Sequence, residues 1–239
     1  MTRSRERSRG DVLALIALVL PFFAAWIYFV GLKGSPLARF VYLAAKAVQF
    51  GLPLLWLLLQ AKAPHRDPPA PWSRGLGTGI VLGLAAALTI VSVHTLWISG
   101  SALAPTMGLR IGEALVDFRI QSASGYLVMA LALSVVHSLL EELYWRWFVF
   151  QRTATWLPVP AAITVASLGF AAHHWIVINR YLPPDQAFTL GLAATLAVAG
   201  GGAAWCWLYR RSGNLIAVWI SHMLVDFALL GVGYLLWRG

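Results

Sequence analysis

The chain has 239 residues, of which 59% are hydrophobic and 11% charged, and a net charge of +9. Soluble domains carry about 25% charged residues, so this composition, with a mean hydropathy of +0.73, excludes a water-facing globular surface. Nucleic acid is excluded as the reason for the positive charge: Arg3, Arg5, Arg7 and Arg9 alternate with small or polar residues and no aromatics, a pattern that suits topology control and contact with anionic lipid.

At about 20 apolar residues per crossing, the sequence holds seven spans, near 12–31, 38–60, 76–99, 125–150, 159–178, 187–209 and 214–237, an eighth span or a broken last helix being the alternative. The expected fold class is all-α: a polytopic transmembrane helical bundle forming a single integral membrane domain, 1–239. The run from Val12 to Val30 is long enough to span, and no small-residue cleavage site follows it, so it reads as a span and not as a cleaved leader. Gly34-Ser35-Pro36 reads as a turn, and residues 63–72, with His65, Arg66, Asp67 and four prolines, as a loop. The stretch 100–124 holds Arg110, Glu113, Asp117 and Arg119, with Ile111, Leu115 and Phe118 at helical spacing between them. An amphipathic helix lying on the membrane and an ordinary ordered loop both fit it. Gly200-Gly201-Gly202 lies inside the sixth span and reads as a close-packing point. Cys206 is the only cysteine, which excludes an internal disulfide. With the N-terminus in the cytoplasm, ten basic residues fall on the cytoplasmic side and six on the other, which favours that orientation.

Six of the nine acidic residues lie in the tail, at a span edge or in loops. Glu141, Glu142 and Asp226 lie in apolar runs, as do five of the six histidines. A charged Asp, Lys or Arg at the centre of a span costs at least ~2.5–3.5 kcal/mol, so such residues face the bundle interior and have partners. In the fourth span, Glu142 and Arg146 are one turn apart and can pair, while Glu141 is rotated about 100° away and stays free for chemistry. In the fifth, Phe170 and His174 share a face beside Ala171 and Ala172, while His173, about 100° away, competes with His174 for the catalytic role, and the spacing from Phe170 selects His174. In the seventh, His222 and Asp226 are one turn apart, so the carboxylate can orient the imidazole. His137 precedes Glu141 by one turn and suits a supporting role, and Lys46 either snorkels or pairs within the bundle.

Taken in order, Glu141-Glu142-x-x-x-Arg146, Phe170-x-x-x-His174 and His222-x-x-x-Asp226 resemble the CPBP family, which comprises the type II CAAX prenyl endopeptidases, bacteriocin-processing and immunity-type (Abi) proteins and related intramembrane proteases. The resemblance covers about residues 125–230, the expected catalytic core. It implies an intramembrane endopeptidase that hydrolyses a peptide bond of a membrane-associated protein or peptide, with Glu141 as general base and His174 holding the water. His222 with Asp226 then stabilises the oxyanion, and Glu142, Arg146 and Phe170 support the site. Many members carry Asn where this chain has Asp226, and an ionised carboxylate has no proton to donate. Glutamate-activated water without a metal is the preferred reading. The alternative is zinc on Glu141, His174 and His222, although these lack the HExxH spacing. Two other classes stay open: a non-catalytic Abi-like immunity or scaffold protein, and a proton-coupled transporter. The expected location is the bacterial inner membrane. In this topology His174 lies near the far end of its span while Glu141 and His222 lie towards the cytoplasmic half, so a shared site requires a tilted, short or late-starting fifth helix.

Overall fold

Within a bilayer every backbone N–H and C=O must find its partner inside the protein, which leaves the helix as the way for apolar runs to cross. The computed structural model describes residues 2–33, 35, 37–60 and 70–239, and among them there is no strand. Seven helices are long and apolar enough to span: Asp11–Gly31, Phe40–Leu58, Leu76–Ile98, Ala123–Thr153, Val159–Asn179, Ala187–Ser212 and Leu215–Arg238. Each lies within three residues of the expected bounds, and the chain is an integral membrane protein of the expected all-α class. In chain order, α1 is Thr2–Trp26, widening into a π-helical turn at Ile27–Gly31. Helix α2 is Leu37–Gln60, and α3 is Leu76–Val93 with a π turn at His94–Ile98. Helix α4 is Leu103–Asp117, α5 is Ala123–Thr153, α6 is Val159–Asn179, α7 is Ala187–Ser212 and α8 is Leu215–Arg238.

The basic N-terminal segment, expected as a tail, is helical from Thr2. Of the expected loop 63–72 only residues 70–72 are described, and Gly34 and Pro36 of the expected turn also lie outside the described residues. The stretch 100–124 contains a helix, α4, and not an irregular loop; Leu115 is buried and the helix packs on α8.

The second half of α5 is the centre of the bundle, in contact with α1, α2, α6, α7 and α8. Tyr144, Trp145, Phe148 and Val149 are accordingly at most 1% exposed, whereas large apolar side chains on the outer faces, such as Phe40, Leu88 and Phe188, are about 70% exposed. In water such a surface would be an aggregation liability; here it matches lipid.

Two backbone arrangements fix the helices around α5. Pro21 in α1 has no N–H to offer the carbonyl of Ala17, and the Tyr144 hydroxyl donates to that carbonyl at 2.5 Å. On the other side α3 meets α8 with almost no spacer. A Cβ on Gly79 would collide with the Ala217 carbonyl, and one on Gly83 would lie 2.8 Å from that of Ser221. The lower end of α8 is tied by Asn214. Its Oδ1 accepts from the Ile216 N–H at 2.9 Å, capping the helix, and its Nδ2 donates to the carbonyls of Trp72 and Arg74 at 2.5 and 3.0 Å.

Asn214→Ala removes the cap and the donor to the Trp72 and Arg74 carbonyls. The expected loss is about 0.5–2 kcal/mol of stability, read as a lower midpoint of thermal unfolding in detergent.

Candidate active site

Helix α5 does not keep a uniform pitch. Ala132–His137 and Leu143–Phe150 are π-helical, and the short α-helical piece Ser138–Glu142 between them carries both glutamates. Wide turns of this kind recur at functional sites because they re-aim side chains. The indole Nε1 of Trp219 donates to the Val135 carbonyl in the first wide segment at 2.9 Å.

Glu141 and Glu142 are both buried, at 3% and 0% exposure, and their directions differ as neighbours on a helix must. Glu142 Oε1 accepts from Arg146 Nη1 at 2.9 Å and lies 2.7 Å from His222 Nδ1. The Arg146 guanidinium is also stacked over the rings of Phe170, at 4.6 Å, and Trp205, at 5.0 Å. Its charge is therefore met by a carboxylate at one end and by π-electron faces at its sides.

Glu141 is turned towards imidazoles. Its Oε1 lies 3.5 Å from His137 Nε2 and 3.5 Å from His173 Nε2, and its Oε2 lies 3.9 Å from His222 Nε2. His222 Nε2 is 3.5 Å from Asp226 Oδ1 on the same helix face. The His222 ring stacks on Trp205 at 4.3 Å, and the Trp205 indole N–H donates to Ser221 Oγ at 3.0 Å. Both ring nitrogens of His222 thus face carboxylates, an arrangement that is attractive only with a proton on each ring nitrogen or on one of the facing carboxyl groups.

Of the two adjacent histidines on α6, the structure brings His173 to Glu141, with its ring stacked parallel to Trp145 at 5.9 Å. His174, the residue picked out by the spacing from Phe170, is not within ion-pair distance of Glu141 among the described contacts. Its Nδ1 lies 2.8 Å from the Phe170 carbonyl and its ring is 4.1 Å from that of His173. A carbonyl only accepts, so the proton of neutral His174 is on Nδ1 and a lone pair is left on Nε2.

The depth conflict expected from the sequence does not arise. Helix α5 runs on to Thr153, which places Glu141 about 18 Å from its end at ~1.5 Å per residue. On α6, which returns antiparallel from Val159, His173 lies about 21 Å from the start by the same rise. The extra turn of α5 brings the two to one level without a short or late α6.

The sequence motifs point to Glu141, Glu142, Arg146, Phe170, His222 and Asp226, which the structure gathers into one cluster, all buried except the half-buried Asp226. They reserve Glu142 for Arg146 and do not reach the bond from Glu142 to His222, nor Trp205, which no motif marks. The contact of His137 was legible from its place one turn before Glu141. Among the described residues no group of three or more His, Cys, Asp or Glu side chains is spaced as an ion site. Residues 123–228, which run from the start of α5 past Asp226, match the family model described as Type II CAAX prenyl endopeptidase Rce1-like. No curated protein and no solved structure matches the chain.

Arg146→Ala leaves Glu142 charged and buried with one donor fewer. Removal of one partner from a buried pair costs about 3–5 kcal/mol, so the variant is expected to unfold at a markedly lower temperature in detergent, and Arg146→Lys, which keeps the charge but loses the planar stacking, to fall in between.

Proposed function

We propose that this membrane protein, whose residues 123–228 match the Rce1-like type II CAAX prenyl endopeptidase family model, is an intramembrane endopeptidase in which Glu141 activates water. Its substrate is a membrane-associated protein or peptide cut near its C-terminal end, as in CAAX-type processing. The observation that carries the reading is the buried carboxylate of Glu141, faced by His137, His173 and His222 within 3.5–3.9 Å inside the membrane-spanning bundle. Residues 125–230 form the catalytic core of one membrane domain, in the bacterial inner membrane with the N-terminus cytoplasmic, as the distribution of basic residues favours.

Glu141 takes a proton from a water held with the α6 histidines, and the resulting hydroxide attacks the scissile carbonyl. The lone pair left on His174 Nε2 suits holding that water, and His173 keeps the Glu141 carboxylate in place. The carbonyl oxygen becomes an oxyanion as the tetrahedral intermediate forms. His222 donates to it from Nε2, with its Nδ1–H directed at Glu142. Asp226 suits this scheme as a carboxylate: it need not donate to the oxyanion itself, because it keeps the proton on the imidazole 3.5 Å away that does. The proton on Glu141 then passes to the leaving amine, and the C–N bond breaks. The hydroxyl of Ser221 is already engaged by Trp205 and Cys206 is buried, so neither side chain is placed as a nucleophile.

Loss of a general base or an oxyanion donor lowers kcat by about 10²–10⁴. Glu141→Gln and His222→Ala are expected to remain folded in the membrane and to lose cleavage by that factor. Mass spectrometry of membrane proteins from cells with wild-type or Glu141→Gln protein reads the outcome as a C-terminal cut that disappears. A phenotype that survives Glu141→Gln assigns the chain to the scaffold or immunity class, and proton-dependent flux assigns it to transport.

A further inference from the structure

One cation in the bundle takes no part in this scheme. Lys46 lies six residues inside the span Phe40–Leu58. A lysine at such depth ordinarily reaches a carboxylate, a carbonyl or the interface. Here its ammonium has no hydrogen bond or ion pair among the described residues, and is held over the rings of Tyr42 and Phe50 at 5.6 and 5.4 Å.

The side of α2 that carries it faces the site and not lipid. Tyr42, Lys46, Gln49 and Phe50 recur at helical spacing, while Phe40, Val48 and Leu58 on the other side are 53–72% exposed. Phe50 packs edge-on against His137 at 5.7 Å, and His137 is in turn 3.5 Å from Glu141. The contacts that run from the ammonium through Phe50 and His137 thus end at Glu141, with which the ammonium itself is not paired. One turn further, Gln49 is fully buried with neither its amide nitrogen nor its amide oxygen bonded. Pro53 also deprives the Gln49 carbonyl of its helical donor. Polar groups left without partners on the site-facing side of an apolar span mark a stretch suited to a polar ligand.

We propose that Lys46 forms an anion subsite for the free α-carboxylate at the C-terminus of the substrate, on the leaving-group side of Glu141. This rests on the endopeptidase reading above and adds the group that recognises the C-terminal end of its substrate. Such a tail places its carboxylate roughly 10 Å beyond the scissile carbonyl at ~3.3 Å per extended residue, beyond contact with Glu141 but within reach of a neighbouring helix. The ammonium, poorly solvated between two rings, gains a partner only when the tail is bound. The carboxylate also stays clear of Glu141, whose own charge would repel it.

The test uses full-length protein in detergent and a dye-labelled peptide with a prenylated cysteine followed by three aliphatic residues, made as the free acid and as the carboxamide. Glu141→Gln protein is expected to bind the acid about ten- to hundredfold more tightly than the amide, the range for a hydrogen bond between charged groups. That preference is expected to vanish in Glu141→Gln/Lys46→Met and to persist in Glu141→Gln/Lys46→Arg. Equal binding of acid and amide, binding of neither, or a preference that survives Lys46→Met overturns the subsite. So does a preference that collapses when phosphatidylglycerol is added, which assigns the ammonium to lipid phosphate. Cleavage by wild-type protein, measured in parallel, separates the two ideas: cutting with equal KM for both peptides sinks the subsite alone, and binding preference without any cutting sinks the peptidase reading alone.

Discussion

The carboxylate of Glu142 holds the arrangement together. Two glutamates adjacent in a membrane span repel each other and are strongly disfavoured by the surrounding hydrocarbon. Glu142 is neutralised by Arg146 one turn away on its own helix and reaches His222 on α8 with the same oxygen. That single atom joins the centre of α5 to α8, and the guanidinium it accepts from offsets its negative charge. Glu141, whose partners are imidazoles, is left as the reactive carboxylate. Arg146 suits the task because a planar guanidinium can accept the faces of Phe170 and Trp205 while donating in its own plane.

Around this atom the backbone is held by contacts that use little side-chain volume. The glycines of α3 bring α8 close enough for backbone to touch backbone at Ala217 and Ser221, the residues leading into His222. Asn214 fixes where α8 begins. His222 therefore sits at a height and rotation set by main-chain contacts, which are stiffer than a layer of leucines. The wide turns on either side of Ser138–Glu142 do the corresponding work on α5, rotating the two glutamates relative to what a uniform helix gives.

The spans were legible because apolar length decides them, and the bounds hold to within three residues. The pairs Glu142–Arg146 and His222–Asp226 were legible because both partners lie on one helix, where a spacing of four fixes geometry. What depends on the rotation of one helix against another was not. His173 and His174 differ by about 100° around α6, and sequence spacing alone does not say which of them meets Glu141. The link from Glu142 to His222 and the stacking of Trp205 under the same imidazole cross between helices in the same way. Helix α4 was left undecided because its pattern suits helix and loop alike, and the decision came from the packing of Leu115 on α8.

The hydroxyl of Tyr144 and the ring of Pro21 make two distant positions answer for one hydrogen bond. With any other residue at position 21, a helical N–H could return to the Ala17 carbonyl and compete with the tyrosine for it; with phenylalanine at 144, the proline would leave that carbonyl dry and unmatched in the core. Each change is therefore milder in the company of the other than alone, and the two sites behave as a thermodynamically non-additive pair across 123 positions of sequence. Drift at the periphery of the molecule, on α1, is in this way tied to the helix that bears the reactive carboxylate.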